Sequence, residues 1–371
     1  MKSTTATRYR ELTRRIYENI GHFKLKDIQT FHLNDFYTAL QNTTSKATGS
    51  CEAKIDLAAL LKDSKQSRAK VARETGLGQT TVQTAVLGHP VSIGTAKKIC
   101  DHLQIKLEDA FIVDEEKTML SSKTILEYHG LIHTVLEQAV REKLIPYNPA
   151  AYAELPRSER KEPQYYQESE ISAIRDALET EPYKWNVLTK MFLATGARRG
   201  EILGLKWENI DLDNSRIHIC NNLLYVPSKG VYLDTPKTKT SNRWITIPSE
   251  VVDMLRSYRS YQLEEKFKLH GYYQDKGFVF TRDNGEPIHP DSVTDWMDKF
   301  SRRHNLPHIN PHAFRHTQAS LLFLHHVDPV SVSHRLGHSK VSTTTDIYAH
   351  FMHEADQKMS DIIGDVLFKN A

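Results

Sequence analysis

The sequence predicts a mainly α-helical chain carrying a small antiparallel sheet, an α+β arrangement. Apolar residues recur at helical spacing near both ends of the first 150 residues, at Tyr9, Leu12, Ile16 and Ile20, and again from Ile125 through Tyr128, Leu131, Ile132, Val135, Leu136, Ala139 and Val140. Short strand candidates fall only between residues 216 and 247. A length of 371 residues, with 26% charged and 39% apolar residues, is enough for two or three domains with real cores.

Composition narrows the class. No run approaches the roughly 18 apolar residues of a membrane helix, and residues 1–15 are polar and basic without the apolar stretch of a secretory signal. Cys51, Cys100 and Cys220 are odd in number and far apart, which argues against a disulfide framework or a cysteine zinc site. We therefore expect a cytoplasmic protein. The net charge of +3 is modest, but cations cluster at Arg8, Arg10, Arg14, Arg15, Lys24 and Lys26, and again over residues 62–73. Such clusters suit a nucleic-acid backbone and equally a solvated face.

The elements follow in order. The helix over residues 9–20 stops at Gly21, and a second places Leu33, Phe36, Tyr37 and Leu40 on one face. Residues 43–50 form a polar linker. Residues 52–113 form a self-contained insert. Its helices cover residues 55–61, 68–75 and 79–87, and a fourth opens at Ser92 with Ala96, Ile99 and Leu103 inward. An alanine one turn before the Gly76-Leu77-Gly78 turn, followed by a polar-faced helix, is a helix-turn-helix pattern. It resembles the DNA-binding domain of phage repressors, in which Gln79, Thr80 and Gln83 would face the major groove. Glutamine there can pair bidentately with adenine. A helical hairpin used for protein contact is the alternative.

Ser121 to Thr124 caps the next helix, with Glu127 and His129 on its outer face, and Pro146 and Pro149 end it. Residues 157–163 are charged and proline-bounded, the best interdomain linker. Helical stretches over residues 169–178 and 185–194 are followed by residues 199–205. Strand candidates lie at residues 216–220, 223–226 and 244–247, and Pro236 to Ser241 is a basic hairpin or strand edge. From Pro290 onward the chain is again mostly helical.

Chemistry concentrates in a sparse set: Arg198, His312, Arg315, His338 and Tyr348. Two guanidiniums can neutralise a phosphate, two imidazoles can move or share protons, and a phenol can attack phosphorus, all without a metal. His312 and His316 have the i, i+4 spacing of metal ligands. The zinc-hydrolase pattern, however, needs glutamate where Ala313 stands, and Arg315 lies between the two histidines. A metal site is not expected.

Thr195-Gly196-x-Arg198-x-x-Glu201, with Leu205-x-Trp207-x-x-Ile210-Asp211 behind it, resembles the first catalytic box of the tyrosine recombinases, the integrases of phages and conjugative elements. His312-x-x-Arg315-His316-Thr317, Leu336-Gly337-His338 and Tyr348 resemble the second. Pro236-Lys237-Thr238-x-x-Ser241-x-Arg243 is similar to the lysine-bearing hairpin. Residues 7–41 and 119–150 resemble the helical core-DNA-binding domain. The resemblance thus implies three regions: a split core-binding domain over residues 1–50 and 118–155, the insert over 52–113, and a catalytic domain over 165–371.

The resemblance implies roles. Arg198 and Arg315 clamp the scissile phosphate, Glu201 holds Arg198, and Tyr348 is the nucleophile. His312 is the candidate base, and His338 binds the phosphate or supports that base. Lys237 is the candidate general acid, with Lys239 as the alternative; Lys239 and Arg243 are also candidate DNA contacts. The resemblance further implies double-stranded DNA as substrate, no cofactor, a tetramer during synapsis, and accessory DNA-bending or directionality proteins. An amphipathic segment over residues 356–367 packs either on its own domain or on a neighbouring protomer. The family plan includes an arm-binding domain and a first helix before residue 9. Neither is visible, which leads us to expect a truncated start or a lineage without them. A regulator that kept the fold without recombination, and a type IB topoisomerase, are the competing readings.

Overall fold

Serine, asparagine and aspartate caps set many of the helix starts, and tertiary contacts decide what the helices bury. The computed structural model describes residues 2–43, 50–114, 119–157, 164–235 and 239–338. The chain divides into two units, Met1–Glu159 and Arg160–Ala371, with the boundary inside the charged linker. Among the described residues no helix is long and apolar enough to cross a membrane.

In the first unit, α1 (Ser3–Ile20), α2 (Thr30–Gln41) and a long helix at residues 122–141 build one core. Leu12, Ile20, Leu33, Phe36, Tyr37 and Leu40 pack with Ile125, Tyr128, Ile132, Leu136 and Ala139. These are the stripes anticipated from the sequence, except that Val135 is exposed, and each large buried side chain contributes about 1.5–3 kcal/mol. Helix α1 starts six residues before its apolar stripe, through Ser3 to Arg8, where Thr and Ser are weak helix formers, so the sequence pattern did not mark this start. Arg8 joins α1 to Glu127 on the long helix through Nε at 2.9 Å and Nη2 at 2.7 Å. Glu127 is therefore on the outer face as expected. His129 is not: it is half-buried, with Nδ1 3.1 Å from the Tyr37 hydroxyl.

The insert lies between α2 and the long helix. Its elements are β1 (Ser50–Ala53), α3 (Leu57–Asp63), α4 (Arg68–Thr75), α5 (Gln79–Val86), β2 (Val91–Ser92), α6 (Ile93–Leu103), α7 (Leu107–Ala110) and β3 (Phe111–Asp114). Asp56, Ser67 and Ser92 cap α3, α4 and α6 through their side chains. The small sheet, in the order β2-β1-β3, was not foreseen. Its strands are too short for a period-2 pattern to stand out. Strands β1 and β3 pair antiparallel from Ser50 opposite Asp114 to Ala53 opposite Phe111, so the two ends of the insert are neighbours. Leu57, Ala85, Ala96, Ile99 and Phe111 form a core of its own, and Leu61, Val71, Ala72 and Val82 a second small one. The host closes behind it: the amide of Leu120 donates to the carbonyl of Thr43 at 3.2 Å. Ser121 caps the long helix, α8 (Ser122–Arg141), by accepting from the amide of Thr124.

The second unit opens with α9 (Glu168–Leu178), α10 (Tyr183–Thr195) and α11 (Arg199–Leu203). Strands β4 (Ile210–Asp211) and β5 (Arg216–Ile219) are followed by a separate hairpin of β6 (Asn222–Val226) and β7 (Gly230–Asp234). Strand β8 (Arg243–Thr246) then completes an antiparallel sheet in the order β4-β5-β8. Three of these strands match the sequence expectation to within a residue or two, whereas β4 and β7 were missed. Helices α12 (Ser249–Leu269), α13 (Pro290–Arg303), α14 (Pro311–Leu324) and α15 (Pro329–Leu336) finish the described part. Val187, Leu188, Met191, Phe192, Ile202, Ile217, Ile245, Phe280, Met297 and Phe314 lie in one core that spans sheet and helices.

The paired ends make the insert removable. Replacing residues 50–114 with a short glycine bridge is expected to leave the full chain folded, with cooperative thermal unfolding within about 5 °C of the intact chain, because adjacent paired strand ends impose little loop-closure cost. Circular dichroism melting checks this, and loss of cooperativity would show that the insert is integral to the host core.

Candidate active site

The site is organised around the C-terminal end of α10. The last carbonyls of a helix have no partner within it and carry partial negative charge. Here Gln318 Nε2 donates to the carbonyls of Leu193 at 3.0 Å and Ala194 at 2.8 Å, and Arg335 Nη2 also donates to Ala194 at 3.0 Å. Arg315 Nη1 donates to Gly196 at 2.8 Å. Gly196 sits in the left-handed region at φ +59, and a Cβ there would overlap the Gln318 amide oxygen and come 2.8 Å from Leu336 Cδ2. The glycine of the first arginine motif thus has a steric reason.

Arg198 follows as the N-cap of α11. Glu201, at the third helical position, accepts from the Arg198 amide at 3.0 Å and from Arg198 Nη1 at 2.7 Å. The carboxylate is 4% exposed. Burial alone would raise its pKa, but Arg243 and then Arg198 outweigh this and hold it below the usual carboxylate range. Arg198 Nη2 reaches the carbonyl of Gly337 at 3.2 Å. The Arg198 side chain keeps 37% of its surface, leaving an accessible cationic edge.

Helix α14 supplies His312, Arg315 and His316. Asn310 caps it by accepting from the Ala313 amide at 2.9 Å, and Pro311 occupies its first turn. Burial of the ring, then the charges of Arg315, Arg198 and Arg199, lowers the pKa of His312. His338 follows Gly337, the left-handed cap of α15. Burial, then Arg315, Arg198, His316 and Arg243, pushes its imidazole down to about 4. Burial, His312 and Arg315 do the same to His316, also to about 4. All three imidazoles are therefore neutral at pH 7, able to accept a proton at one nitrogen and donate from the other. Among the described residues no group of three His, Cys, Asp or Glu could hold a metal ion.

The structure thus brings together residues separated by up to 140 positions in sequence: Arg198 reaches the carbonyl of Gly337 beside His338, and Arg315, on the same helix as His312, reaches the carbonyl of Gly196 two residues before Arg198. Lys237 and Tyr348 lie outside the described residues, and of Lys239 only the backbone is described, in a short 3-10 turn. Arg243 corrects the sequence reading. Its side chain is 1% exposed, and its three guanidinium nitrogens donate to Glu201 at 3.0 Å and to the carbonyls of Arg335 and Ser241, so its donors are occupied within the protein rather than presented to a DNA phosphate. Sequence reasoning missed Gln318 and Arg335, which satisfy the α10 carbonyls. Their only sequence signal is adjacency, one turn after Arg315 and one residue before Leu336.

In the insert, α4 ends at Gly76 with φ +66, and the Leu77 amide donates back to Ala72 at 3.0 Å. The chain then turns directly into α5. Gln79 and Thr80 are exposed on its first turn, where a helix N-terminus also favours anions. Gln83, one turn later, is half-buried and its amide oxygen accepts from the Arg68 guanidinium.

Residues 164–354 match the family model described as the phage integrase family, and residues 56–116 match a Cro/C1-type HTH DNA-binding domain. A XerC-like tyrosine recombinase of Caldanaerobacter subterraneus subsp. tengcongensis is 32% identical over 263 residues, covering 66% of this chain and 67% of that protein. The ICEBs1 integrase of Bacillus subtilis is 26% identical over 251 residues, covering 68% of each. The fold is similar to that of a Tn1549 transposon integrase solved in complex with circular intermediate DNA, with TM-score 0.64 and 17% identity over 97% of this chain and 94% of that one. It is also similar to a lambda integrase dimer bound to a COC′ core site, with TM-score 0.51 and 14% identity over 94% of this chain and 89% of that one.

Two measurements test this geometry. Gly337→Ala forces an L side chain into φ +70 with its Cβ 2.7 Å from Arg243 Nη1. It is expected to cost about 1–3 kcal/mol in urea unfolding. The histidines set a pH dependence. Below about pH 6.5 the unfolded chain takes up protons that folded His316 and His338 refuse until about 4. Their contribution to stability is therefore complete above pH 6.5 and is lost as pH falls toward 4. Urea midpoints at pH 7.5 and 5.0 should show the loss, and His316→Gln should reduce it.

Proposed function

The chain belongs to the phage integrase family, and from that premise we propose that it is a site-specific DNA recombinase that integrates or excises a mobile element by cutting and rejoining DNA through a 3′-phosphotyrosine intermediate. The observation that carries this reading is the convergence of two anchored arginines with two neutral histidines. Charge gathers on the non-bridging oxygens during phosphoryl transfer, so positioned guanidiniums are the main catalytic requirement. Arg198 and Arg315 fill that role.

In the proposed cycle the Tyr348 oxygen attacks phosphorus, and neutral His312 accepts the phenolic proton. His338 hydrogen-bonds the phosphate or supports His312. The bond from phosphorus to the 5′ oxygen breaks, and that oxygen takes a proton from Lys237 or Lys239. The products are a 3′-phosphotyrosine and a free 5′-hydroxyl. The phosphodiester energy is retained in the tyrosyl ester, so the reverse attack by a 5′-hydroxyl rejoins the strand without ATP or metal.

The insert would add a second DNA contact, with Gln79, Thr80 and Gln83 at the major groove. A tetramer during synapsis fits the lambda integrase tetramer solved on a Holliday junction. Residues 356–367, which lie outside the described residues, are the proposed interprotomer contact. If so, deleting the chain after Gly364 weakens synapsis more than cleavage at a single site. The helix-turn-helix match also favours a second reading, a DNA-binding regulator without recombination.

A nicked suicide substrate carrying the element's end separates the two. The recombinase reading expects a covalent protein–DNA adduct that persists in chelator and disappears in Tyr348→Phe. Arg198→Lys or Arg315→Lys should slow its formation by about 100-fold or more, because lysine cannot supply two parallel donors. Tight binding without any adduct favours the regulator. Gln79→Ala should lower discrimination at one base pair of the insert's site by about 1–3 kcal/mol in competition binding.

A further inference from the structure

We infer that Arg243 is a positioning residue that locks three sequence-distant stretches of the candidate site into one geometry; this rests on the recombinase reading above. The stretches are Arg198 to Glu201, Arg335 to His338, and the 3-10 turn Lys239–Ser241 that ends the lysine-bearing segment. One guanidinium serves all three. Its Nη2 donates to Glu201 Oε2 at 3.0 Å, its Nε to the carbonyl of Arg335 at 2.6 Å, and its Nη1 to the carbonyl of Ser241 at 3.1 Å.

The contacts close on themselves. Arg243 holds Glu201, Glu201 holds both the amide and the guanidinium of Arg198, and Arg198 donates to the carbonyl of Gly337. Gly337 lies directly against the Arg243 guanidinium: a Cβ there would be 2.7 Å from Nη1 and 3.0 Å from Cζ. The next residue is His338. Because the donors of a guanidinium share one rigid plane, their three acceptors cannot shift independently. A lysine presents its donors from a single atom and cannot span acceptors on three sides.

All three guanidinium nitrogens of Arg243 are occupied by Glu201, Arg335 and Ser241, which leaves it no donor to offer substrate. Its effect passes through Arg198, through His338 and through the backbone that anchors the lysine segment. The placement of the phosphate clamp, one histidine and the base of the lysine segment then depends on one buried cation.

The test measures three quantities on the full chain: the adduct rate at saturating suicide substrate, the half-saturating DNA concentration, and amide hydrogen exchange over residues 335–338 without DNA. Arg243→Gln and Arg243→Lys should each slow adduct formation by about 100-fold or more while half-saturation stays within about threefold. Exchange over residues 335–338 should quicken. The double variant Glu201→Gln/Arg243→Gln, which breaks the same chain of contacts to Arg198 as either single variant, should lose less than the product of the two single losses, a non-additivity expected of a coupled pair. If Arg243→Gln does not fold, the double variant and Arg243→Lys carry the comparison, and each should remain about tenfold or more below the native rate.

A folded variant that cleaves within about threefold of native, or a loss confined to DNA affinity, overturns the inference. So do strictly additive losses. If the native chain itself forms no adduct, the recombinase reading fails; the exchange measurement still decides whether Arg243 ties these stretches together.

Discussion

The carboxylate of Glu201 is the constraint on which the candidate site depends. It is buried, charged and shared between Arg198 and Arg243. Removing such a group from water costs several kcal/mol, which only well-formed partners offset. The Arg198 amide, the Arg198 guanidinium and Arg243 supply those partners, and each is thereby held in place. A carboxylate this close to the proposed phosphate-binding site would repel substrate if it were free. With two guanidiniums on it, its charge is cancelled locally, and Arg198 keeps an exposed edge with which to meet an anion.

The end of α10 does the corresponding work for Arg315. Its carbonyls accept from Gln318, Arg335 and Arg315, so an otherwise costly buried helix terminus becomes an anchor for cations. The same cations and the burial around them hold His312, His316 and His338 neutral. Neutral imidazoles are the useful form for the proposed reaction, because it needs a proton acceptor and the arginines already supply fixed positive charge. One arrangement of backbone carbonyls, arginines and a single glutamate thus sets both the field and the protonation states of the site.

Much of this was legible in advance where it depended on local pattern. The stripes of α2 and α8, the caps at Ser92 and Ser121, the turn after Gly76 and three of the strands in the second unit follow from spacing and turn chemistry. What was missed has physical reasons. Strands β1 and β3 of the insert hold only four residues each, and their pairing joins positions about sixty residues apart. His129 looked exposed because its helical position is beside the stripe; the hydroxyl of Tyr37, from another helix, gives it a hydrogen-bond partner. Arg243 looked like a DNA contact because it ends a basic motif, and nothing in the motif tells an exposed arginine from a buried one.

By itself the sequence determined the helical class, the insert, the residue types of the candidate site and the family to which the chain belongs, because periodicity, caps and motif spacing are local properties. Only the tertiary structure decided which arginines are free and which are consumed. It separated Arg198, with an accessible edge, from Arg243, which is buried against Glu201, and it gave Gln318 and Arg335 their work on the α10 carbonyls. The reason is that burial and pairing arise from contacts between positions up to 141 residues apart, and the cost of an unpartnered buried charge, rather than any motif, dictates where each charged side chain ends.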